Sequence, residues 1–548
     1  MSTVECRKAH VRIALIQLYG DLQPANAEPL SIEALAGAIQ TSLPETKPDL
    51  FTISSSESCE KQRAALTKIL QQQYQLIGLS CPQGTFGLAI QVLEALSTPA
   101  DGPQIVLGHA LPTYLPDLFL EHFPKVFIIR GWGEPGFLGL CRHLARGDVQ
   151  LEHIPSLTYL DAQGTRHDTP VEWAYEAVIP RRINPARYFV RVEASRGCHY
   201  NVCTFCSRPP LQKGQSPWKR FEICKVIEQV QRLVKAGITT FTFTDEDFVG
   251  DDPQGALDLA TRLCEIPGLD FALSVRADNI HHPQASAAEN ALRLKVFQTL
   301  RQAGLTLVFI GAESFSPSQL RRYGKGSTPN DTIQAIRLLE TLSSEQGQPL
   351  ELELGLILFD PLLQIEELYE TVSSLQSTRF WKYVGQLFSF MRVQVGTPYA
   401  RLLEKQGMLG PISVNSIEYK AAYADPRVAS LAEICHVWGE EFNRLYVALR
   451  NVARSELGAG RFTDFVVRYR SMQVELLLHL VSRAMAGTVD RSIDDELQGW
   501  RRQVYLFIDE LLTYIHTLET LSPSEKLLLQ TVMKEKDRHH LRRDLVHG

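Results

Sequence analysis

Short apolar runs, each followed by a stretch of helical periodicity, recur from residue 11 to about residue 400 and restrict what this chain can fold into. In residues 11–148 the runs are Val11–Tyr19, Asp49–Ser55, Gln75–Cys81, Gln104–Gly108 and Lys125–Gly131. Between and after them, Ser31–Ser42, Glu60–Gln73, Phe86–Leu96, Tyr114–Phe123 and Pro135–Arg146 read as helices. Strands that are apolar along their whole length need cover on both faces, so this alternation predicts an α/β, Rossmann-like, doubly wound parallel sheet. Ligands of such sheets sit beyond the carboxyl ends of the strands. At 548 residues the chain exceeds one hydrophobic core and calls for about three or four domains.

A second alternation begins near residue 190. Strands are expected at Phe189–Ala194, Thr240–Thr244, Phe271–Arg276, Leu305–Gly311, Leu352–Phe359 and Val384–Val393. The helices are Arg220–Ala236, Pro253–Ile266, Ala287–Ala303, Asp331–Ser344 and Ile365–Gln376. Six such units make a partial (β/α) barrel, whose reactive residues lie at the carboxyl ends of its strands. The first strand runs into Arg196-Gly197-Cys198-His199-Tyr200-Asn201-Val202-Cys203-Thr204-Phe205-Cys206. Three thiolates on one loop can hold three corners of an iron–sulfur or zinc centre, sulfur being too soft a ligand for hard cations. The next cysteine, Cys224, falls in an expected helix, so a cubane here keeps one iron open. A structural zinc site and three unrelated core cysteines are the alternatives.

The stretch Arg-Gly-Cys-x-Tyr-Asn-x-Cys-x-Phe-Cys resembles the cluster loop of radical S-adenosylmethionine (SAM) enzymes. The usual spacing there is Cys-x3-Cys-x2-Cys; this chain has Cys-x4-Cys-x2-Cys, as if Val202 were inserted. Downstream, the resemblance continues in order. Asp245-Glu246-Asp247 ends the second strand, Arg276-Ala277-Asp278 follows the third, Gly311-Ala312-Glu313-Ser314 closes the fourth and Phe359-Asp360-Pro361 the fifth. It implies a [4Fe-4S] cluster on Cys198, Cys203 and Cys206, with Phe205 beside the SAM adenine. It also implies a SAM site lined by Asp245, Glu246, Arg276, Glu313 and Ser314. For Asp247 and Asp278, helix capping is the competing reading.

Placed ahead of such a core, residues 1–150 resemble the cobalamin-binding domain of the cobalamin-dependent subfamily. By that resemblance Ser80 and Gly108 flank the nucleotide tail, while Gly131, Gly133 and Glu134 match an Arg-Gly-x-Gly-Glu ending. The Asp-x-His-x-x-Gly signature is replaced by Gly20-Asp21-Leu22-Gln23, and the usual Gly-Gly after the fourth strand is Gly108-His109. His109 faces cobalt, faces the tail, or is an ordinary loop histidine. A Rossmann-like domain without ligand is the plain alternative.

Residues 151–189 read as a linker with a small hairpin turning at Gln163-Gly164, and 190–400 as the core. Residues 401–548 read as a C-terminal helical domain, with helices Pro426–Leu457, Phe462–Ala486, Asp494–Leu521 and Ser524–Leu541. The resemblance implies reductive SAM cleavage to a 5′-deoxyadenosyl radical and methylation of an unactivated carbon of a small molecule or peptide. Cyclisation, oxidation or rearrangement is the alternative outcome, and a non-catalytic metal-sensing protein the alternative class. A reductant such as flavodoxin or ferredoxin is the implied protein partner. Net charge −6 argues against a general nucleic-acid surface. Ten cysteines are too few for a disulfide framework, which suits a reducing cytoplasm. No membrane span and no signal peptide are expected.

Overall fold

The computed structural model describes residues 11–23, 26–97, 102–147, 149–172, 176–207, 218–345, 350–455, 460–488 and 492–547. The start segment Met1–Lys8 and the final residues of the helix expected to end at Leu457 lie outside them. By internal contacts the chain forms two compact units. The first comprises residues 1–308, 337–351 and 392–420; the second comprises 309–336, 352–391 and 421–548.

The first unit opens with β1 (Ile13–Tyr19), α1 (Leu30–Ser42), β2 (Asp49–Ser54), α2 (Cys59–Gln71), β3 (Leu76–Ser80), α3 (Phe86–Leu96) and β4 (Gln104–Gly108). Then come α4 (Ala110–Tyr114), α5 (Pro116–Leu120), β5 (Phe127–Ile129), α6 (Gly133–Arg146), β6 (Leu157–Leu160) and β7 (Arg166–Asp168). The sheet order is β2-β1-β3-β4-β5-β6-β7, with β1 to β5 parallel. All seven residues of β1 are buried, because each face has its own cover. Ala14, Ile16 and Leu18 share one core with Leu88 and Phe119, while Ile13 and Leu15 share another with Ile39 and Phe137. The helix expected over Tyr114–Phe123 is two short helices, since Pro116 cannot continue α4. The hairpin expected in a linker is the antiparallel edge of this sheet: β6 pairs with β5, and β7 with β6.

The core follows with β8 (Arg191–Val192), β9 (Ser195–Arg196), β10 (Lys219–Arg220), α7 (Ile223–Lys235), β11 (Thr240–Phe243), α8 (Pro253–Leu263), β12 (Asp270–Arg276), α9 (Ala287–Ala303) and β13 (Leu305–Glu313). Next are α10 (Pro317–Arg322), α11 (Pro329–Glu345), β14 (Glu351–Leu356), α12 (Ile365–Thr378) and α13 (Pro398–Lys405). The sheet order is β14-β13-β12-β11-β8. Five of the six expected strands therefore form a ladder. The sixth, Val384–Val393, makes only isolated parallel bridges, Leu354 to Val384 and Phe359 to Phe390. At its start the carbonyls of Val384 and Gly385 accept from Arg470 Nη2, far along the chain, at 3.0 Å each, so these carbonyls are engaged by a side chain.

A hairpin, β15 (Leu409–Ser413) and β16 (Glu418–Ala421), follows α13. Its turn docks on the first sheet: Asn415 O accepts from Gly84 N at 2.7 Å, and Asn415 Oδ1 from Phe86 N at 3.2 Å. Ile417, with φ +58°, inserts into the core under α3, a burial worth roughly 1.5–3 kcal/mol. In the second unit, α14 (Pro426–Ser455), α15 (Thr463–Met485), α16 (Ser492–His516) and α17 (Pro523–His547) follow the helical reading of the C-terminal region. Among the described residues no helix is long and apolar enough to cross a membrane.

Glu33, on α1, is fully buried; its Oε1 accepts from Ile183 N at 2.6 Å and its Oε2 has no partner. Burial pushes its carboxyl up to about 7, the Ile183 N–H only partly offsetting this. An acid with a raised folded pKa is held neutral, so the fold loses stability as pH rises from about 4.5 to about 7. Glu33→Gln should remove that loss. Its stability advantage over the wild type, read from denaturant or thermal unfolding, should grow through this window and level off above it, reaching roughly 3 kcal/mol at most. An advantage independent of pH would contradict the buried neutral carboxyl.

Candidate active site

The cysteine loop starts where β8 and β9 hand over to Gly197, whose φ of +85° turns the chain. The first strand ends early because Asp245, after β11, takes its backbone: Asp245 Oδ2 accepts from Ala194 N at 3.2 Å, and Oδ1 from Ser195 Oγ. Burial pushes the Asp245 carboxyl up to about 7 against these two donors. Asp245 thus shapes the entry to the loop, and its neighbour Glu246 is half-buried.

Asp247 secures the loop from beneath. It is fully buried and accepts from Asn279 Nδ2 at 2.6 Å, while His199 Nδ1 lies 3.1 Å from the same Oδ2. Arg276, at the end of β12, forms a fork on Asp278 at 2.9 and 2.7 Å and lies over the Tyr200 ring at 3.8 Å. Its Nη1 is 3.9 Å from Cys203 Sγ, within reach of an N–H···S contact. Burial opposes the guanidinium's charge, but Asp278 more than offsets this and holds it charged. Burial raises the Cys198 thiol, partly offset by N–H groups of Asn201 and Tyr200 directed at its sulfur. Donors aimed at a sulfur stabilise its thiolate, the form that ligates iron. Val202 is 59% exposed and follows Asn201 at φ +43°, so the additional residue bulges outward.

Among the described residues no three His, Cys, Asp or Glu side chains are gathered around a single-ion position. A cubane asks for a different arrangement, because each cysteine binds its own iron. The half-buried cysteines on one loop, with donors at Cys198 and Cys203, fit that group. Phe205, half-buried, stands between Cys203 and Cys206 on the same loop.

Glu313 and Ser314 belong to the second unit. Glu313 ends β13 at φ +64° and pairs with Lys325 at 3.0 Å, over Gly311, where a side chain would strike Glu313 Oε1 at 2.8 Å. Ser314 is fully buried and bonds to Gln319 at 2.5 Å and Thr371 at 3.0 Å, so its hydroxyl is spent on the turn. Gln319, Arg322 and Tyr323 all donate to Asp360 Oδ2, a network the Phe-Asp-Pro stretch did not disclose.

At the carboxyl edge of the first sheet, Ser80 bonds to Ser31 at 3.1 Å. A Cβ at Gly108 would meet nothing nearer than Ile129 O at 3.9 Å, so the space immediately beside this strand end is open. His109 adopts φ +76°, ψ −167°, a region that favours glycine and costs about 1–3 kcal/mol. Its Nδ1 accepts from Ala110 N at 2.8 Å, which in the neutral ring puts the proton on Nε2. Gly131, at φ +73°, begins the turn into α6, which Gly133 and Glu134 open. Glu134 lies against Arg196, at 2.8 Å.

Residues 192–346 match the family model of the radical SAM superfamily. The chain is 25% identical over 489 residues to 4′-phospho-dehydrooxetanocin synthase of Priestia megaterium, covering 76% of this chain and 64% of that protein. It is 28% identical over 275 residues to an uncharacterised methyltransferase of Pyrococcus horikoshii, covering 48% and 56%. The chain thus spans less than two thirds of the length of both relatives. Among solved structures, the cobalamin-dependent SAM radical enzyme OxsB, with aquacobalamin and SAM bound, gives a TM-score of 0.77 at 21% identity over 98% of this chain and 80% of that one. The radical SAM methyltransferase TsrM of Kitasatospora setae, with cobalamin and a [4Fe-4S] cluster bound, gives 0.59 at 16% identity over 72% and 78%. At these identities the structural likeness establishes the fold. Cysteine loop, strands and matched core together give residues 192–346 the features of a radical SAM domain. With a doubly wound domain ahead of that core, the chain has the fold of the cobalamin-dependent radical SAM enzymes OxsB and TsrM.

Removing Asp247 leaves Asn279 Nδ2 without its buried acceptor and takes away the carboxylate beside His199. Asp247→Ala should cost about 1–3 kcal/mol and lower the iron retained on reconstitution, with Asp247→Asn milder on both counts. Thermal unfolding and iron analysis check this; full iron at an unchanged Tm would contradict it.

Proposed function

We propose that this protein is a cobalamin-dependent radical SAM enzyme acting on a small molecule. The observation that carries the reading is the loop of Cys198, Cys203 and Cys206, with backbone donors at the first sulfur and Arg276 at the second. When bound, a three-cysteine [4Fe-4S] cluster chelates SAM at its open iron and supplies the electron that cleaves the sulfonium, while cobalamin offers a second reactive centre. The protein's part is to hold and exclude. Arg276 places a fixed positive charge beside Cys203, and Asp278 keeps that guanidinium in place. Phe205, Glu246 and Arg276 are the residues of the first unit assigned to SAM. Ser80, Gly108, His109, Gly131 and Gly133 are assigned to cobalamin, with His109 as a hydrogen-bond donor and Glu134 acting through Arg196. Asp245 supports the loop instead of touching SAM.

Two outcomes divide the family. A synthase-type rearrangement is supported by the match to the Priestia megaterium synthase, which takes in 76% of this chain. Methyl transfer is the second reading, supported by the methyltransferase match over 48%. A flavodoxin or ferredoxin is the proposed electron donor.

Anaerobic reconstitution should yield about four irons and four sulfides per chain, retained cobalamin, and 5′-deoxyadenosine once a strong reductant and SAM are added. Alanine at Cys198, Cys203 or Cys206 should reduce 5′-deoxyadenosine at least about 100-fold, since loss of one thiolate removes the cluster. Substrate-dependent S-adenosylhomocysteine would select methyl transfer over rearrangement. Zinc in place of iron, or no 5′-deoxyadenosine from iron-loaded protein, would overturn the proposal.

A further inference from the structure

The cluster loop is gripped at both ends by the first domain, through Arg196 and Tyr114, which the cofactor assignments leave unused. At its entry, Arg196 immediately precedes Gly197-Cys198. Its Nη2 donates to Glu134 Oε1 at 2.8 Å and to Glu193 Oε2 at 2.9 Å. The guanidinium lies between the rings of Trp132, at 5.3 Å, and Phe221, at 5.5 Å. Burial opposes its charge, and the two carboxylates more than offset this. At the exit, Tyr114 donates its hydroxyl to the backbone carbonyl of Ser207 at 2.7 Å, one residue past Cys206. Trp132 and Glu134 belong to the turn after β5, and Tyr114 ends the helix that begins next to His109 after β4. Those two loops also carry Gly108, His109, Gly131 and Gly133, the residues assigned to cobalamin.

We infer that Arg196 and Tyr114 are positioning residues that couple the cobalamin loops of the first domain to the cluster loop, so that filling one site alters the other. The inference rests on the proposed function for the identity of the two groups, but the grip consists of contacts within this chain. The physical case is one of short connections. From Glu134 a single buried ion pair reaches Arg196, and two peptide bonds separate Arg196 from Cys198. A buried pair broken on one side leaves an uncompensated charge, so the turn at 131–134 and the loop at 196–198 cannot shift independently. Tyr114 imposes the same constraint on the other end. Coupling of this kind is reciprocal for binding: a cluster that tightens cobalamin is itself perturbed by cobalamin.

The test uses the full chain, with Tyr114→Phe, which removes only a hydroxyl, and Glu134→Gln, which keeps the shape but not the charge. Cobalamin affinity is measured by absorbance titration with hydroxocobalamin before and after cluster loading, and the reduced cluster is followed by EPR with and without cobalamin. In the wild type, cluster loading should tighten cobalamin about tenfold, and cobalamin should shift the EPR signal. In either variant, at unchanged iron and sulfide content, the factor should fall toward one and the shift should shrink. Equal coupling in wild type and both variants, or none in the wild type, overturns the inference. If the wild type takes up iron but never retains cobalamin, the proposed function fails in that part. The grip is then decided by hydrogen exchange of the loop amides 197–207 in protein free of both groups. Faster loop exchange in Tyr114→Phe, with β1 and β3 unchanged, supports it; equal exchange overturns it.

Discussion

Residues 197–207 belong to no helix or strand, so the three thiols are placed by what is packed around them. The decisive contacts come from buried polar groups on neighbouring elements. Asp245 takes the backbone of Ala194 and the hydroxyl of Ser195, and Asp247 lies under His199. Arg276 covers Tyr200 and reaches Cys203, while the carbonyl of Thr204 accepts from Tyr399 N at 2.9 Å. A loop held this way costs conformational entropy once, on folding, and presents its three cysteines from a braced backbone. The expense is in desolvated charge. Asp247 carries no exposed surface, and Arg196 and Arg276 are each buried beside carboxylates. Such pairs add little net stability, but removing one partner is severe, which makes them better at fixing geometry than at strengthening the fold.

The first domain shares in that geometry. Its two carboxyl-edge loops, after β4 and β5, have glycines where a large ligand would approach and polar or aromatic side chains where the cluster loop begins and ends. The hairpin turn at Asn415 and Ile417 adds a third attachment, capping the start of α3 and filling the core beneath it. The sheet edge that the proposal assigns to cobalamin therefore also braces the cysteine loop. That gives a physical reason for joining the two domains in one chain.

Much of the architecture was legible in the sequence: β1 and β3, covered on both faces, read as apolar runs, while β11 and β14 of the second sheet alternate, one side buried; β1 and β4 lie within a residue or two of expectation. The failures have specific causes. Val384–Val393 has a strand's composition, yet its first carbonyls are taken by Arg470, 85 or more residues away, which no local pattern reveals. The hairpin at 157–168 looks like a linker because its pairing partner, β5, is only three residues long. At the site, the cysteines and the acidic and basic strand ends were found by type and order. Their division of labour was not. Asp245, Glu246 and Asp247 are adjacent and alike in sequence, but two are buried supports and one is half-buried. Ser314 sits in a familiar-looking stretch, yet Gln319 and Thr371 use its hydroxyl. The partnership of Glu134 with Arg196 joins residues 62 apart, and the sequence carries no signal for it.

The central claim is that three sulfurs of one loop carry a cluster with an iron open to SAM. The most direct measurement is the EPR spectrum of the reduced, reconstituted protein before and after SAM is added, compared with the addition of S-adenosylhomocysteine, which lacks the sulfonium methyl. The account predicts a [4Fe-4S] signal that changes on SAM addition, as SAM reaches the open iron. A cluster signal indifferent to SAM, or no cluster signal from iron-loaded protein, would contradict it.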